Sequence, residues 1–188
     1  MEQPTLKTPR LLLRSFTIAD APTVHRFASA YEIAAMTLSI PHPYTVEMAE
    51  DWIQTHLEHW QAGMGVNFAI ALRQTGELFG SVGIGIEPDR TAEMGYWIGV
   101  PFWGRGYATE AAQALLDFGF RDLGLTRIHA AHFLNNPASG KVMHNIGMRH
   151  IGRYPNYVVK WGESKDVGQY ALSVAEWQAI QLNQVQSA

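Results

Sequence analysis

The sequence predicts a mixed α/β fold (α+β in its strand order): a central, mostly antiparallel sheet flanked by helices, with one parallel strand pair. Two observations carry this expectation. The segments follow the order β-α-α-β-β-β-α-β-α-β-β. A single strand–helix–strand unit, across the helix that follows the central strand, supplies the parallel pair, and the strands elsewhere are antiparallel. At 188 residues the default is one domain, 1–188, long enough to bury a full core, with the core elements over about 8–173.

The elements follow in order. Arg10 to Ser15 reads as the first strand. Thr17 or Asp20 can cap a helix over about 21–30, with Pro22 tolerated in its first turn and Val24, Phe27 and Ala28 on its apolar face. Residues 31–45 form a longer connection, stiffened by Pro41 and Pro43. Long loops that carry aromatics often line binding sites. A helix over 45–62 has acidic residues at its start, where they suit the helix dipole, and on this reading Met48, Trp52 and Leu57 face inward. Residues 67–73 and 78–86 form a hairpin about Gly76, and Gly80, Gly83 and Gly85 inside the second strand permit close backbone approach.

The stretch from Ala92 to Phe120 organises the rest. Its strand, 93–100, is rich in residues that suit a pleated sheet, and Pro101 stops it. The turn Trp103-Gly104-Arg105-Gly106-Tyr107-Ala108 follows, and then a helix with Ala111, Ala112, Leu115, Leu116 and Gly119 at helical spacing. Two glycines let successive amides converge in front of the helix. The unpaired amides of a first turn, with the helix dipole, make an anion site suited to phosphate. Arg105 adds a full charge there and Thr109 a hydroxyl. The glycine spacing fits neither a dinucleotide fingerprint nor a P-loop. After Gly124 comes a strand over 127–133, then a short helix over 138–145 ended by Gly147. Strands over 148–153 and 167–172 close the sheet around a loop or irregular hairpin at 154–165. The tail from Ala175 has no clear partner, although Trp177 can pack.

Composition sets further bounds. With 14 Lys and Arg against 17 Asp and Glu, the chain lacks the basic excess of a dedicated nucleic-acid binder. It has no cysteine, which excludes disulfides, thiolate metal sites and a cysteine nucleophile, so any acyl transfer is direct or passes through another residue. Eight histidines form no metal-ligand pattern, and no metal is expected. No apolar run approaches the roughly 20 residues of a membrane span and no signal segment is evident, so a cytoplasmic protein without a membrane partner is expected.

Trp103 to Ala108 resembles the Q/R-x-x-G-x-G/A acyl-CoA signature of the GNAT N-acetyltransferase superfamily, with Trp103 where the family often has Gln or Arg. The wider string E-x-G-Y-W-I…W-G-R-G-Y-A-T-E-A is similar to the RimJ/RimL-type branch, and Asn136, Ser139, Val142, Gly147 and Met148 resemble the family's second motif. The resemblance implies the GNAT acyl-CoA N-acyltransferase fold, in which the parallel strands splay and an acyl chain lies between them. It implies acetyl-CoA as acyl-donor cosubstrate. Donor contacts would come from the backbone of Ile98 and Val100, from Arg105, Gly106, Tyr107, Ala108 and Thr109, and from Asn136. Taken alone, Asn136 to Ser139 reads as a plain helix cap and first turn.

The implied reaction is acetyl transfer to a primary amine. Glu93, on the central strand, is the candidate base, beside an equally weighted role as an exposed or substrate-orienting carboxylate. Ser139 is the candidate acid, with Tyr154 and Tyr157 as rivals. His129 and His132 point to opposite faces of their strand, and a carboxylate of the loop before the last strand, Glu163 or Asp166, is a further family position. The acceptor implied by the branch is a protein N-terminal α-amine. A small amine (polyamine, amino acid or aminoglycoside-like antibiotic) is the second reading and a catalytically silent acyl-CoA-binding module the third. Exposed strand edges of this fold also admit a homodimer.

Overall fold

A computed structural model describes residues 2–186. Eight strands form one sheet in the order β1-β2-β3-β4-β5-β6-β8-β7. β1 (Leu6–Lys7) and β2 (Leu11–Arg14) lead into α1 (Ala21–Ala28), α2 (Tyr31–Met36) and α3 (Val46–Gln61). β3 (Gly65–Leu72), β4 (Leu78–Ile86) and β5 (Thr91–Ile98) form the antiparallel centre. Then come α4 (Tyr107–Arg121), β6 (Arg127–Phe133), α5 (Pro137–Asn145), β7 (Arg149–Lys160), β8 (Glu163–Ser173) and α6 (Val174–Gln186). This is the mixed fold expected, and β5–β6 is its one parallel pair among the described residues. No helix of the described chain is long and apolar enough to cross a membrane.

Three expectations need correction, and one open reading is decided. In α3 the buried stripe is Ala49, Ile53 and His56, so Met48 (41% exposed) and Leu57 (61%) face outward. The 31–45 connection begins with the two-turn helix α2, which no side chain caps. Of the two readings of 154–165 the irregular hairpin holds, with residues 154–160 and 163–165 as its outer half. Its strands absorb Pro155 and Asn156 as a bulge, with Asn156 at φ 51° and its amide held by Asp166 Oδ1 at 2.9 Å. The tail is not unpartnered either. Ser173 and Glu176 form a reciprocal cap that starts α6, with Ser173 N–H donating to Glu176 Oε2 (2.9 Å) and Glu176 N–H to Ser173 Oγ (3.3 Å). Trp177 then packs on Phe120, and its Nε1 donates to Asp117 Oδ1 at 2.7 Å.

One polar group in the core has a clear cost. His56 is 5% exposed, packs edge-on against Trp52 and beside Phe16, and neither ring nitrogen has a hydrogen-bond partner among the described residues. Burial, helped by nearby His59, pushes its pKa down to about 4. The folded protein therefore keeps His56 neutral where an unfolded chain, with a pKa near ~6.5, takes up a proton. Stability should fall as pH drops from about 6.5 to about 4, by up to about 3 kcal/mol from this group, and level off below. Urea-unfolding midpoints across that range test this, and His56→Leu should flatten the slope. An unchanged slope in the variant would remove His56 as its source.

Candidate active site

β5 and β6 are paired for three residues only, from Thr91↔Arg127 to Glu93↔His129. Beyond that point they part. β5 stays paired with β4 to Ile98, and β6 stays paired with β8 to Phe133, so each arm of the fork is held by its outer neighbour. The fork opens into a cleft of about 1260 Å³ that runs from Glu93 at its base to the turn before α4. Gly99 N–H donates to Phe79 O, so strand alternation turns the Ile98 backbone groups the other way, into the gap. The Ile98 carbonyl accepts Trp103 Nε1 there at 2.5 Å. Trp103 thus takes up one of the backbone groups that the resemblance offered to a ligand and leaves the Ile98 N–H.

The glycine turn forms as expected. Gly104 and Gly106 take left-handed conformations (φ 73° and 76°), and Gly106 is the N-cap of α4 with no side-chain cap. A Cβ at Gly104 would meet nothing within 4 Å. Residues 104–109 all line the cleft, so the uncapped amides, the dipole of a 15-residue helix and the Arg105 charge suit a pyrophosphate. The turn is braced from behind. Arg10 Nε meets Glu110 Oε2 at 2.6 Å, and its Nη1 donates to the Arg105 carbonyl at 2.9 Å. Thr8 Oγ1 also donates to Glu110, at 2.6 Å, and Arg10 lies over the Tyr107 ring.

On the far arm, Asn136 caps α5 through its Oδ1, which accepts Ser139 N–H at 3.3 Å, while the residue still lines the cleft. The plain cap and the ligand contact are therefore compatible. Ser139 has a partner that sequence reasoning missed. Tyr96, on β5, reaches across the fork so that its hydroxyl lies 2.8 Å from Ser139 Oγ and 3.0 Å from Ser139 O. Burial, partly offset by the Ser139 hydrogen bond, pushes the phenol up to about 12, so it stays protonated at neutral pH. The only sequence signal was a tyrosine just past the glutamate of the central strand, 43 residues from its partner.

The remaining candidates are dispersed. Glu93 is exposed at the fork and lines the cleft. Val100 sits in a short 3-10 turn, outside the cleft lining. His129 leaves the cleft to meet Glu87 at 3.2 Å, whereas His132 borders it and its Nδ1–H donates to Phe133 O at 2.8 Å. Glu163 pairs with Lys165 and Asp166 holds the bulge, so neither carboxylate serves the cleft. Tyr157 lines it and Tyr154 does not. Lys160, 5% exposed, donates to the carbonyls of Leu38 (3.0 Å) and Ile40 (2.5 Å), and Trp161 stacks on Tyr31. These contacts tie the hairpin tip to the 31–45 segment, two walls of the same cleft. Among the described residues no group of His, Asp or Glu is placed to hold a metal.

Comparison with known proteins agrees with this architecture. Residues 10–149 match the family model described as an acetyltransferase (GNAT) domain. Over 171 residues the chain is 32% identical to the uncharacterized N-acetyltransferase YoaA of Bacillus subtilis (strain 168), across 90% of this chain and 96% of that protein. The solved acetyltransferase (GNAT family) from Bacillus anthracis superposes with a TM-score of 0.82 at 28% identity, covering 92% of this chain and 99% of that one. The fold is also that of RimL, the ribosomal L7/L12 alpha-N-protein acetyltransferase solved with coenzyme A (TM-score 0.83, 21% identity, 90% and 98% covered).

The left-handed backbone of Gly106 costs an L-residue about 1–2 kcal/mol. Gly76, in the β3–β4 turn, has φ 73° and nothing within 4 Å of an added Cβ, so it serves as a control. Gly106→Ala and Gly76→Ala should lose similar stability on denaturation. Only Gly106→Ala should weaken acetyl-CoA binding in calorimetry, by about tenfold, the worth of one charge-assisted hydrogen bond. Full affinity in that variant would remove the turn from the donor site.

Proposed function

The chain belongs to the GNAT acetyltransferase family and is an acetyl-CoA-dependent acetyltransferase, and we propose that it moves the acetyl group directly onto a protein N-terminal α-amine. The observation that carries the site assignment is the Tyr96–Ser139 pair spanning the fork, with Glu93 at the fork's base. The branch resemblance of the central string supports the α-amine. An α-amino group, with a pKa near ~8, is also easier to deprotonate at neutral pH than a lysine-type amine near ~10.4.

In the proposed mechanism the pyrophosphate lies on the amides of Gly106, Tyr107, Ala108 and Thr109 with Arg105 beside it, and the pantetheine arm lies in the fork. Asn136 holds that arm, and Val100, outside the cleft lining, takes no part. Glu93 takes a proton from the acceptor ammonium, directly or through water. The amine nitrogen attacks the thioester carbonyl, and the Ile98 N–H donates to the developing oxyanion. The C–S bond breaks as the amide forms, and the nitrogen's second proton passes through cleft water to replace the one that Ser139 gives up. Ser139 delivers a proton to the departing thiolate, a modest demand for a group near pKa ~8.5. The Tyr96 phenol has one proton to give. When it goes to Ser139 Oγ, the serine's own proton is free to face the thiolate.

A specific observation keeps the small-amine reading in view. Glu32, Asp51 and Glu93 all line the cleft, and among the described residues the Lys and Arg lining it are Lys141 on α5 and Arg105 on the glycine turn. Three carboxylates away from the glycine turn would also suit a polycationic amine.

Glu93→Gln should lower kcat about a hundredfold or more, the usual worth of a placed base, with acetyl-CoA affinity intact. Tyr96→Phe should lower kcat roughly tenfold, about one hydrogen bond, and should have no further effect in a Ser139→Ala background. Independent, additive losses would break the proposed coupling. An unchanged rate in Ser139→Ala would remove the serine as acid.

A further inference from the structure

A second cavity, of about 360 Å³, lies on the side of α5 that faces β6, β8 and β7. Its walls carry Lys141 and His144 from α5, His132 from β6, His150 and Arg153 from β7, and Tyr170 from β8. Among the described residues no carboxylate lines it. That is unusual in a chain whose acidic groups outnumber its basic ones, 17 to 14. Lys141, His144, His150 and Arg153 make no ion pair among the described residues.

The cavity is also shaped around one imidazole. His132 is fixed by its Nδ1–H bond to Phe133 O, which leaves Nε2 without a partner among the described residues. A Cβ at Gly140 or at Gly168 would come within 2.8 Å of that Nε2, so the ring fits only because both flanking positions lack side chains. Tyr170 holds the two strand histidines in place, with its ring 5.8 Å from His132 and 5.2 Å from His150.

We propose that this cavity is an anion-binding site for a phosphate dianion, free or as a phosphate monoester, distinct from the acetyl-CoA cleft. The planar fork of Arg153 matches two phosphate oxygens, and Lys141 adds a point charge. The imidazoles of His144 and His150 and the Tyr170 phenol supply further donors around the remaining oxygens. That donor number exceeds what a single carboxylate can use. The site shares Lys141 and His132 with the border of the main cleft. The test must therefore separate it from the phosphates of the donor.

The experiment is a titration of inorganic phosphate into the protein saturated with acetyl-CoA at 0.15 M sodium chloride, followed by the imidazole NMR signals of His132, His144 and His150. The proposal expects saturable shifts of these rings. It expects Arg153→Gln to weaken phosphate binding about tenfold, one charge-assisted contact, with acetyl-CoA affinity unchanged. Absence of saturable shifts would overturn it, as would binding that Arg153→Gln leaves intact. If phosphate competes with acetyl-CoA, and Arg153→Gln weakens acetyl-CoA but not 3′-dephospho-acetyl-CoA, the cavity belongs to the donor's own phosphate and the separate site is likewise refuted.

Discussion

The arrangement depends on one failure of pairing. β5 and β6 are parallel neighbours that stop hydrogen-bonding after Glu93↔His129. Buried backbone groups left without partners are costly, so a fork in the middle of a sheet persists only where something else satisfies or exposes them. Here the outer neighbours hold both arms rigid. The Trp103 indole satisfies the Ile98 carbonyl, and the Tyr96 phenol bridges the gap to Ser139. What stays unpaired faces a cleft large enough for a thin acyl chain and its acceptor. The fork thus lines one cleft with a carboxylate at its base and a hydroxyl pair farther along it.

The two ends of the cleft rest on different physics. At the donor end a helix start without a side-chain cap meets two left-handed glycines, and the Thr8–Arg10–Glu110 brace fixes their position from the N-terminal strands. At the other end the floor is bare backbone. Gly85 and Gly95 lie on neighbouring strands, and a Cβ at either would enter open space. The walls there are the 31–45 segment and the β7–β8 hairpin, joined by a buried ammonium on two carbonyls. Burial lowers the pKa of Lys160.

Much of this was legible in the sequence because its signals are local. The glycine turn, the strand at its front, α4 behind it and the Asn136–Ser139 start of α5 are contiguous strings whose chemistry follows from spacing. The missed features depend on distance or on ambiguous local cues. Tyr96 and Ser139 meet only after the sheet is assembled. Pro155, Asn156 and Gly162 look like strand breakers, yet the first two make a bulge and Gly162 closes a two-residue turn with Trp161 (φ 79° and 55°). The inward face of α3 was misjudged because Met48 and Leu57 are more apolar than the Ala49 and His56 that are buried. For α6 the signal existed: Ser173-Val174-Ala175-Glu176 is a capping-box pattern, but no continuous apolar stripe follows it.

The most direct measurement is release of free CoA thiol from acetyl-CoA in the presence of a peptide with a free N-terminal amine, against the same peptide with that amine blocked. The protein contains no cysteine and adds no thiol of its own. The account predicts thiol release matched one-for-one by acetylated peptide with the free amine, and none above background with the blocked one. Equal release with both peptides, or no turnover with any amine while acetyl-CoA is bound, would contradict it.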